Sequence, residues 1–68
     1  MMKLLINGDL IQMEENVENV EELIGVLGLS DKSLIVEHNQ IILKKQDHMG
    51  ASLSDGDQLE IVHFVGGG

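Results

Sequence analysis

The apolar and polar positions at the start of the chain alternate in the way typical of a β-hairpin. Asn7-Gly8 lies between the two arms and suits a type I′ turn, because both central residues of that turn need a positive φ. With these two residues as the loop, Ile6 faces Asp9 across the hairpin. One face then collects Met2, Leu4, Ile6, Ile11 and Met13. The other face holds Lys3, Leu5, Leu10, Gln12 and Glu14, and we expect it to meet water.

A helical pattern follows an acidic stretch. Apolar residues recur at i, i+3, i+4 and i+7 in the set Val20, Leu23, Ile24 and Leu27. Asn19 and Glu22 predict a capping box, in which the Asn side chain accepts a helix N–H and the Glu side chain reaches back. Gly28 stands where a residue in the left-handed conformation ends a helix. The pattern therefore predicts one amphipathic helix between Asn19 and Gly28.

The second half of the chain has the pattern of short strands. Residues 34–36 and 41–43 are apolar runs rich in β-branched residues, on either side of a tight turn at residues 38–40. Asp55-Gly56-Asp57 is a further turn signal, and residues 59–65 form a final strand after it. The sequence therefore predicts three strands after the helix.

This order of elements predicts an α+β fold. Strands lie before and after a single helix, which implies a mixed sheet with that helix packed on one face. The connection through the helix suits a sheet whose last strand lies beside the first, and that is the β-grasp arrangement. We expect a β-grasp domain over residues 1–65 and a glycine tail at residues 66–68.

Size and composition narrow the possible functions. A chain of 68 residues makes one domain and buries only about 60% of its unfolded surface, so a deep catalytic cleft is hard to build. The chain has no cysteine, so any sulfur chemistry must use sulfur supplied from outside. His38, His48 and His63 lie at no recognised ligand spacing, and we expect no metal site.

Charge narrows the possible partners. Twelve acidic residues against four basic ones give a net charge of −8, which repels both a nucleic-acid backbone and an anionic lipid surface. A protein with a basic face is the expected partner, although the same charge also serves solubility. The first apolar stretch, residues 4–6, is too short for a signal peptide or a membrane span, which favours the cytoplasm.

The candidate chemistry lies at the C-terminus, in Gly66-Gly67-Gly68. Three glycines have no side chains to bury, so we expect a mobile end that can enter a channel too narrow for any Cβ. On the alternation set by inward-pointing Leu59 and Ile61, Val62 and Phe64 point outward beside this tail and can form a docking surface. Two alternatives stay open: a frayed end without function, and a Phe64 ring that packs under a loop.

Three segments carry a family resemblance. Leu4-Leu5-Ile6-Asn7-Gly8, the stretch from Asp55 to Ile61 and the closing Val65-Gly66-Gly67-Gly68 resemble the ThiS family, the ubiquitin-like β-grasp sulfur carriers of thiamine biosynthesis. The resemblance covers the whole chain. The Asp-Gly-Asp turn alone is shared by several β-grasp families, whereas that turn ten residues before a terminal Gly-Gly is fairly specific to carriers.

The resemblance implies a carrier protein that binds no cofactor and is not itself an enzyme. An E1-like partner uses ATP to adenylate the carboxylate of Gly68, which then becomes a thiocarboxylate and donates sulfur to thiazole synthase. Gly67 is the second residue of the Gly-Gly signature. The residues expected to contact partners are Val62, Phe64 and Val65.

Two departures from the family pattern and three rival functions remain. Gly66 stands where members often have another small residue, and Lys44-Lys45 stands where many have Pro-Arg, which leaves contacts of that loop undecided. The molybdopterin sulfur carrier shares the Gly-Gly end but is usually longer. A ubiquitin-like modifier joined to lysines and an interaction module with an inert tail are the other rivals.

Overall fold

The computed structural model describes residues 2–14 and 16–63. The strands are β1 (Met2–Ile6), β2 (Asp9–Met13), β3 (Leu34–His38), β4 (Ile41–Leu43) and β5 (Gln58–His63), the α-helix is α1 (Val20–Val26), and a short 3₁₀ helix covers Lys45–Asp47. The sheet order is β2-β1-β5-β3-β4, with β1 and β5 parallel and the other neighbours antiparallel. The last strand thus lies beside the first, which confirms the predicted β-grasp arrangement.

The first hairpin has the predicted register. Ile6 pairs with Asp9, and the φ angles of Asn7 and Gly8 are 51° and 84°, as a type I′ turn requires. Leu4 and Met13 are buried on the face that was predicted to be apolar. Ile11 was expected on the same face, yet it remains 38% exposed. The reason is that β2 is the outermost strand, so fewer neighbours cover its side chains.

The start of α1 differs from the predicted capping box in one contact. Asn19 Oδ1 accepts the N–H of Glu22 at 2.9 Å, as expected. Glu22 Oε1 reaches back to the N–H of Glu18 at 2.9 Å, where the capping box predicted the N–H of Asn19. Both contacts satisfy backbone donors at the start of a helix of only seven residues, which its own hydrogen bonds would stabilise poorly.

The end of α1 is a Schellman motif. Gly28 has φ 76°, its N–H donates to the carbonyl of Gly25 at 3.1 Å, and the N–H of Leu29 donates to the carbonyl of Ile24 at 3.0 Å. The left-handed Gly28 is as predicted. Leu27 was predicted to belong to the apolar stripe of the helix, and this was wrong. The helix ends at Val26, and Leu27 is its exposed C-cap residue.

The core lies between α1 and one face of the sheet. The helix contributes Val20, Leu23 and Ile24 of its predicted stripe, and the central strands contribute alternate residues. The buried apolar side chains are Leu4, Ile6, Met13, Val17, Val20, Leu23, Ile24, Val36, Leu53, Leu59 and Ile61. None of the helices within the described ranges is long and apolar enough to cross a membrane.

Candidate functional site

The candidate site is the strand that leads to the glycine tail. The predicted site residues Phe64, Val65 and Gly66-Gly67-Gly68 lie outside the described residues, and their roles stay predictions. Val62 lies within β5 and is 52% exposed, as the alternation predicted. The described part of the site is therefore β5 and the groups that hold it in place.

β5 is the middle strand of the sheet. Leu59 pairs with Ile6 of β1 on one side, and the register with β3 runs from His38 opposite Leu59 to Leu34 opposite His63. Leu59 and Ile61 point into the core and are buried, as predicted. Pairing with β1 at its start, pairing with β3 along its length and two buried side chains fix the position of β5 in the sheet up to His63.

Asn7 extends the pairing between β1 and β5 through its side chain. β1 ends at Ile6, so the backbone of Ile61 has no residue of β1 opposite it. The side-chain amide of Asn7 takes that place: the N–H of Ile61 donates to Asn7 Oδ1 at 2.7 Å, and Asn7 Nδ2 donates to the carbonyl of Ile61 at 3.1 Å. Asn7 was predicted only as a turn residue. Its side-chain contact with Ile61 joins residues 54 positions apart in the sequence, and no local sequence pattern indicates such a contact.

An exposed apolar pair lies on the face of the sheet opposite α1. Val62 is directly opposite Ile35 of β3, and Ile35 is 38% exposed. Side chains opposite each other on neighbouring strands are close enough to form one surface. Val62 was predicted as a partner contact, whereas Ile35 was not. The position of Ile35 beside Val62 follows only from the register of β3 with β5, and the sequence left that register undecided.

A pair of like charges borders this apolar pair. Glu60 and Glu37 are directly opposite each other, two residues before Val62 and two after Ile35. Because alternate residues share a face, both carboxylates lie on the outer face beside the apolar pair. Like charges opposite each other disfavour the pairing by about 0.2–1 kcal/mol. A cationic group on a partner removes this repulsion, so the surface suits a partner with a basic, partly apolar face.

The start of β5 is locked by the predicted Asp-Gly-Asp turn. Gly56 has φ 89°, and its N–H donates to the carbonyl of Lys3 at 2.7 Å, while the N–H of Lys3 donates to Asp55 Oδ1 at 2.7 Å. Asp57 Oδ2 accepts the N–H of Ser54 at 2.9 Å and lies 2.8 Å from His38 Nε2. These contacts join the turn to β1 and to β3.

The electrostatics of Asp57 follow from these contacts. Burial raises the pKa of the Asp57 carboxyl, but the hydrogen bonds from the His38 ring, the Ser54 N–H and the Asn39 side chain lower it. The charge of His38 acts in the same direction, and the pKa of Asp57 lies below its usual value of 3.8. His38 therefore has a structural partner. Among residues 2–14 and 16–63, no three His, Asp or Glu side chains form a group that could hold a metal ion.

Comparison with known sequences shows which family this chain resembles. The sequence profile of the ThiS family matches residues 4–68. The sulfur carrier protein ThiS of Bacillus subtilis (strain 168) is 37% identical over 65 residues, which cover 96% of this chain and 98% of that protein. A thiazole synthase of Paramagnetospirillum magneticum is 42% identical over 67 residues, which cover 98% of this chain. This chain spans only 20% of the length of that synthase.

A solved structure resembles the whole chain. The crystal structure of the thiamine biosynthesis protein ThiS from Geobacter metallireducens superposes with a TM-score of 0.82 at 30% sequence identity. The match covers 98% of this chain and 100% of the Geobacter chain. The strand order and the single helix described above are therefore shared with a protein of the same size class.

Proposed function

The chain belongs to the ThiS family, and from that premise we propose that it carries sulfur for thiazole formation in thiamine biosynthesis on the carboxyl carbon of Gly68. One observation carries the proposal: the similarity extends over nearly the full length of the Bacillus carrier protein, and the family profile continues through Gly68. The protein is a carrier, and we propose that it acts as a co-substrate of partner enzymes.

The proposed chemistry begins with activation of the carboxylate. A carboxylate is a poor electrophile because its leaving group would be oxide, and the mixed anhydride with AMP supplies a better one. In this scheme an E1-like enzyme binds ATP, a carboxylate oxygen of Gly68 attacks the α-phosphorus, and pyrophosphate leaves. The terminal sulfur of a persulfide then attacks the carbonyl carbon and AMP leaves. A second thiol takes the other sulfur into a disulfide, which releases the thiocarboxylate.

The described residues support this role by fixing the base of the tail. β3 pairs with β5 up to His63, β1 pairs with it up to Leu59, and the Asn7 side chain bonds the backbone of Ile61 two residues before the end of the described strand. Ordering a glycine tail in a partner costs about 1–2 kcal/mol per residue. Contacts elsewhere on the carrier must supply that free energy, and the exposed pair Val62 and Ile35 lies beside the start of the tail.

The surface chemistry also suits the proposed partners. The Glu37 and Glu60 carboxylates beside the apolar pair favour a basic face on the E1-like enzyme. The similarity to one fifth of a thiazole synthase supports that enzyme as the second partner, because a carrier on the same chain as its acceptor has a high effective concentration. Use of ATP by the activating enzyme and a cytoplasmic location are parts of the same proposal.

The mass of the protein purified from its native host tests the proposed function. Exchange of one oxygen for sulfur at Gly68 is the expected result under sulfur demand. A ladder of larger conjugates would instead identify a ubiquitin-like modifier, and an unmodified chain would favour an inert interaction module. Complementation separates the two carrier pathways: the gene should restore growth to a thiamine-requiring strain that lacks its carrier, and rescue of molybdopterin synthesis alone would overturn the thiamine assignment.

A further inference from the structure

The asparagine of the first hairpin is followed by glycine, and this pair is chemically reactive. The backbone nitrogen after an asparagine can attack the side-chain carbonyl carbon, and a glycine there hinders the attack least because it has no Cβ. Asn7 precedes Gly8. The other three asparagines of the chain precede valine or glutamine, and they are Asn16, Asn19 and Asn39. Asn7 is therefore the asparagine of this sequence whose neighbour permits deamidation most readily.

The surroundings of this pair are open to solvent. Both Asn7 and Gly8 are exposed, and a Cβ placed on Gly8 would meet no atom within 4 Å apart from its chain neighbours. Water, which deamidation consumes, therefore reaches the turn. Asparagine is one of the thermolabile residues of proteins, so its exposure here is chemically relevant.

The contact with Ile61 controls access to the reactive group. Asn7 Oδ1 accepts the N–H of Ile61 at 2.7 Å, and Asn7 Nδ2 donates to the carbonyl of Ile61 at 3.1 Å. An amide paired with both backbone groups of Ile61 is directed toward β5, so attack by the Gly8 nitrogen requires these two bonds to open. Opening at an exposed turn is local and does not require the core to unfold.

We propose that Asn7 is a deamidation site whose reaction is gated by its contact with Ile61. The Gly8 nitrogen gives up its proton to solvent and attacks Asn7 Cγ. The bond between Cγ and Nδ2 breaks and ammonia leaves, which closes a cyclic imide. Water then adds to either carbonyl of the imide and opens the ring, leaving aspartate or isoaspartate at position 7. The net reaction consumes one water and releases one ammonia, with no change of oxidation state.

The products cannot restore the contact. A carboxylate has no N–H, so the carbonyl of Ile61 loses its donor and faces an oxygen instead. Isoaspartate also adds a carbon to the backbone of a two-residue turn whose φ angles of 51° and 84° match the twist of the hairpin. Both products add negative charge to a protein of net charge −8. Deamidation therefore loosens β5, and the loss of ammonia makes the change one-way.

Peptide mapping by mass spectrometry tests the proposal on the full chain, aged at constant temperature and mildly alkaline pH. The peptide that contains Asn7 should gain the mass difference between OH and NH₂. Asn39 is a matched internal control. Its φ is 49°, and its Oδ1 also accepts a backbone N–H of β5, that of Gln58 at 2.9 Å, but a glutamine follows it. Asn39 should stay intact while Asn7 converts, and equal conversion of the two would overturn the proposal.

The rate of conversion tests the role of the contact. Two hydrogen bonds must open, so Asn7 in the folded chain should convert roughly 10–100-fold more slowly than in the chain unfolded in urea. Equal rates would show that the contact does not control the reaction. A slowing as large as the protection of the slowest core amides against hydrogen exchange would show that only global unfolding allows it. Either result would overturn the proposal.

Asn7→Asp tests the consequence, because it introduces one of the two products. The midpoint of thermal unfolding should fall by roughly 4–8 °C. This fall should persist at high salt, which screens the added charge but does not replace the lost donor. An unchanged midpoint, or a fall that disappears in salt, would overturn the proposed loosening. None of these measurements involves a partner enzyme, so they are independent of the sulfur-carrier function.

Discussion

The contact between Asn7 and Ile61 provides a sharp test of how the base of the tail is held. We consider Asn7→Gly, because glycine accepts the positive φ of this turn position while it removes both side-chain hydrogen bonds to Ile61. The substitution therefore separates the loss of the hydrogen bonds from any disturbance of the turn.

The expected magnitude follows from the two lost contacts. Each hydrogen bond contributes about 0.5–1.5 kcal/mol net, which gives about 1–3 kcal/mol for the pair. Glycine relieves about 1 kcal/mol of strain at φ 51° but adds about 0.5–1 kcal/mol of unfolded-state entropy, and these two effects nearly cancel. Asn7 is itself exposed, so we expect the lower part of the range, a loss of about 1–2 kcal/mol.

Thermal unfolding and hydrogen exchange measure this loss. The midpoint of thermal unfolding should fall by about 4–8 °C for each kcal/mol, and the Ile61 amide should exchange faster than in the wild type. Gln40→Gly is the matched control: Gln40 also has a positive φ, at 73°, but its side chain makes no hydrogen bond among the described residues. That variant should be neutral or slightly stabilised. An unchanged stability and unchanged Ile61 exchange in Asn7→Gly would refute the proposed hold on β5.

Three further predictions, made with four substitutions, test other parts of the structure. The pKa of Asp57 is lowered, so its carboxylate stabilises the fold above pH 3.8 and loses this effect as the pH falls through the folded-state pKa. Asp57→Asn should lower the free energy of unfolding by about 1–2 kcal/mol near neutral pH in urea unfolding. A loss that does not shrink in acid would contradict this. Val62→Ser should leave stability within about 0.5 kcal/mol but weaken binding to the adenylating enzyme about tenfold in calorimetry, and a large loss of stability with unchanged binding would exclude it as a docking residue. Leu23→Ala should cost about 2–5 kcal/mol because Leu23 is fully buried, whereas Val26→Ala on the exposed side of α1 should cost much less; similar costs would place the core elsewhere.

Local chemistry allowed much of the fold to be predicted from the sequence. Asn7-Gly8 specified the turn type and hence the register of the first hairpin, and Gly28 specified the end of α1. Asn19 specified its start. Each of these signals acts within a few residues along the chain, where the backbone geometry demands a particular side chain or the lack of one.

The remaining features depend on pairs of residues that are distant in the sequence. The Asn7 amide meets Ile61 across 54 positions, and His38 meets Asp57 across 19. Such contacts produce no periodic pattern in the sequence, because each of them depends on a single side chain. The exposure of Ile11 was also missed, since it depends on the place of β2 at the edge of the sheet.

The most direct test of the central claim uses two forms of the same chain, one with the free carboxylate of Gly68 and one with that group converted to an amide. Each form is combined with the adenylating enzyme, ATP, a sulfur donor and thiazole synthase, and thiazole formation is measured. The acid form should support the reaction and gain sulfur at Gly68, while the amide form, which cannot be adenylated, should support none. Equal thiazole formation with both forms would contradict the proposed role of the carboxylate.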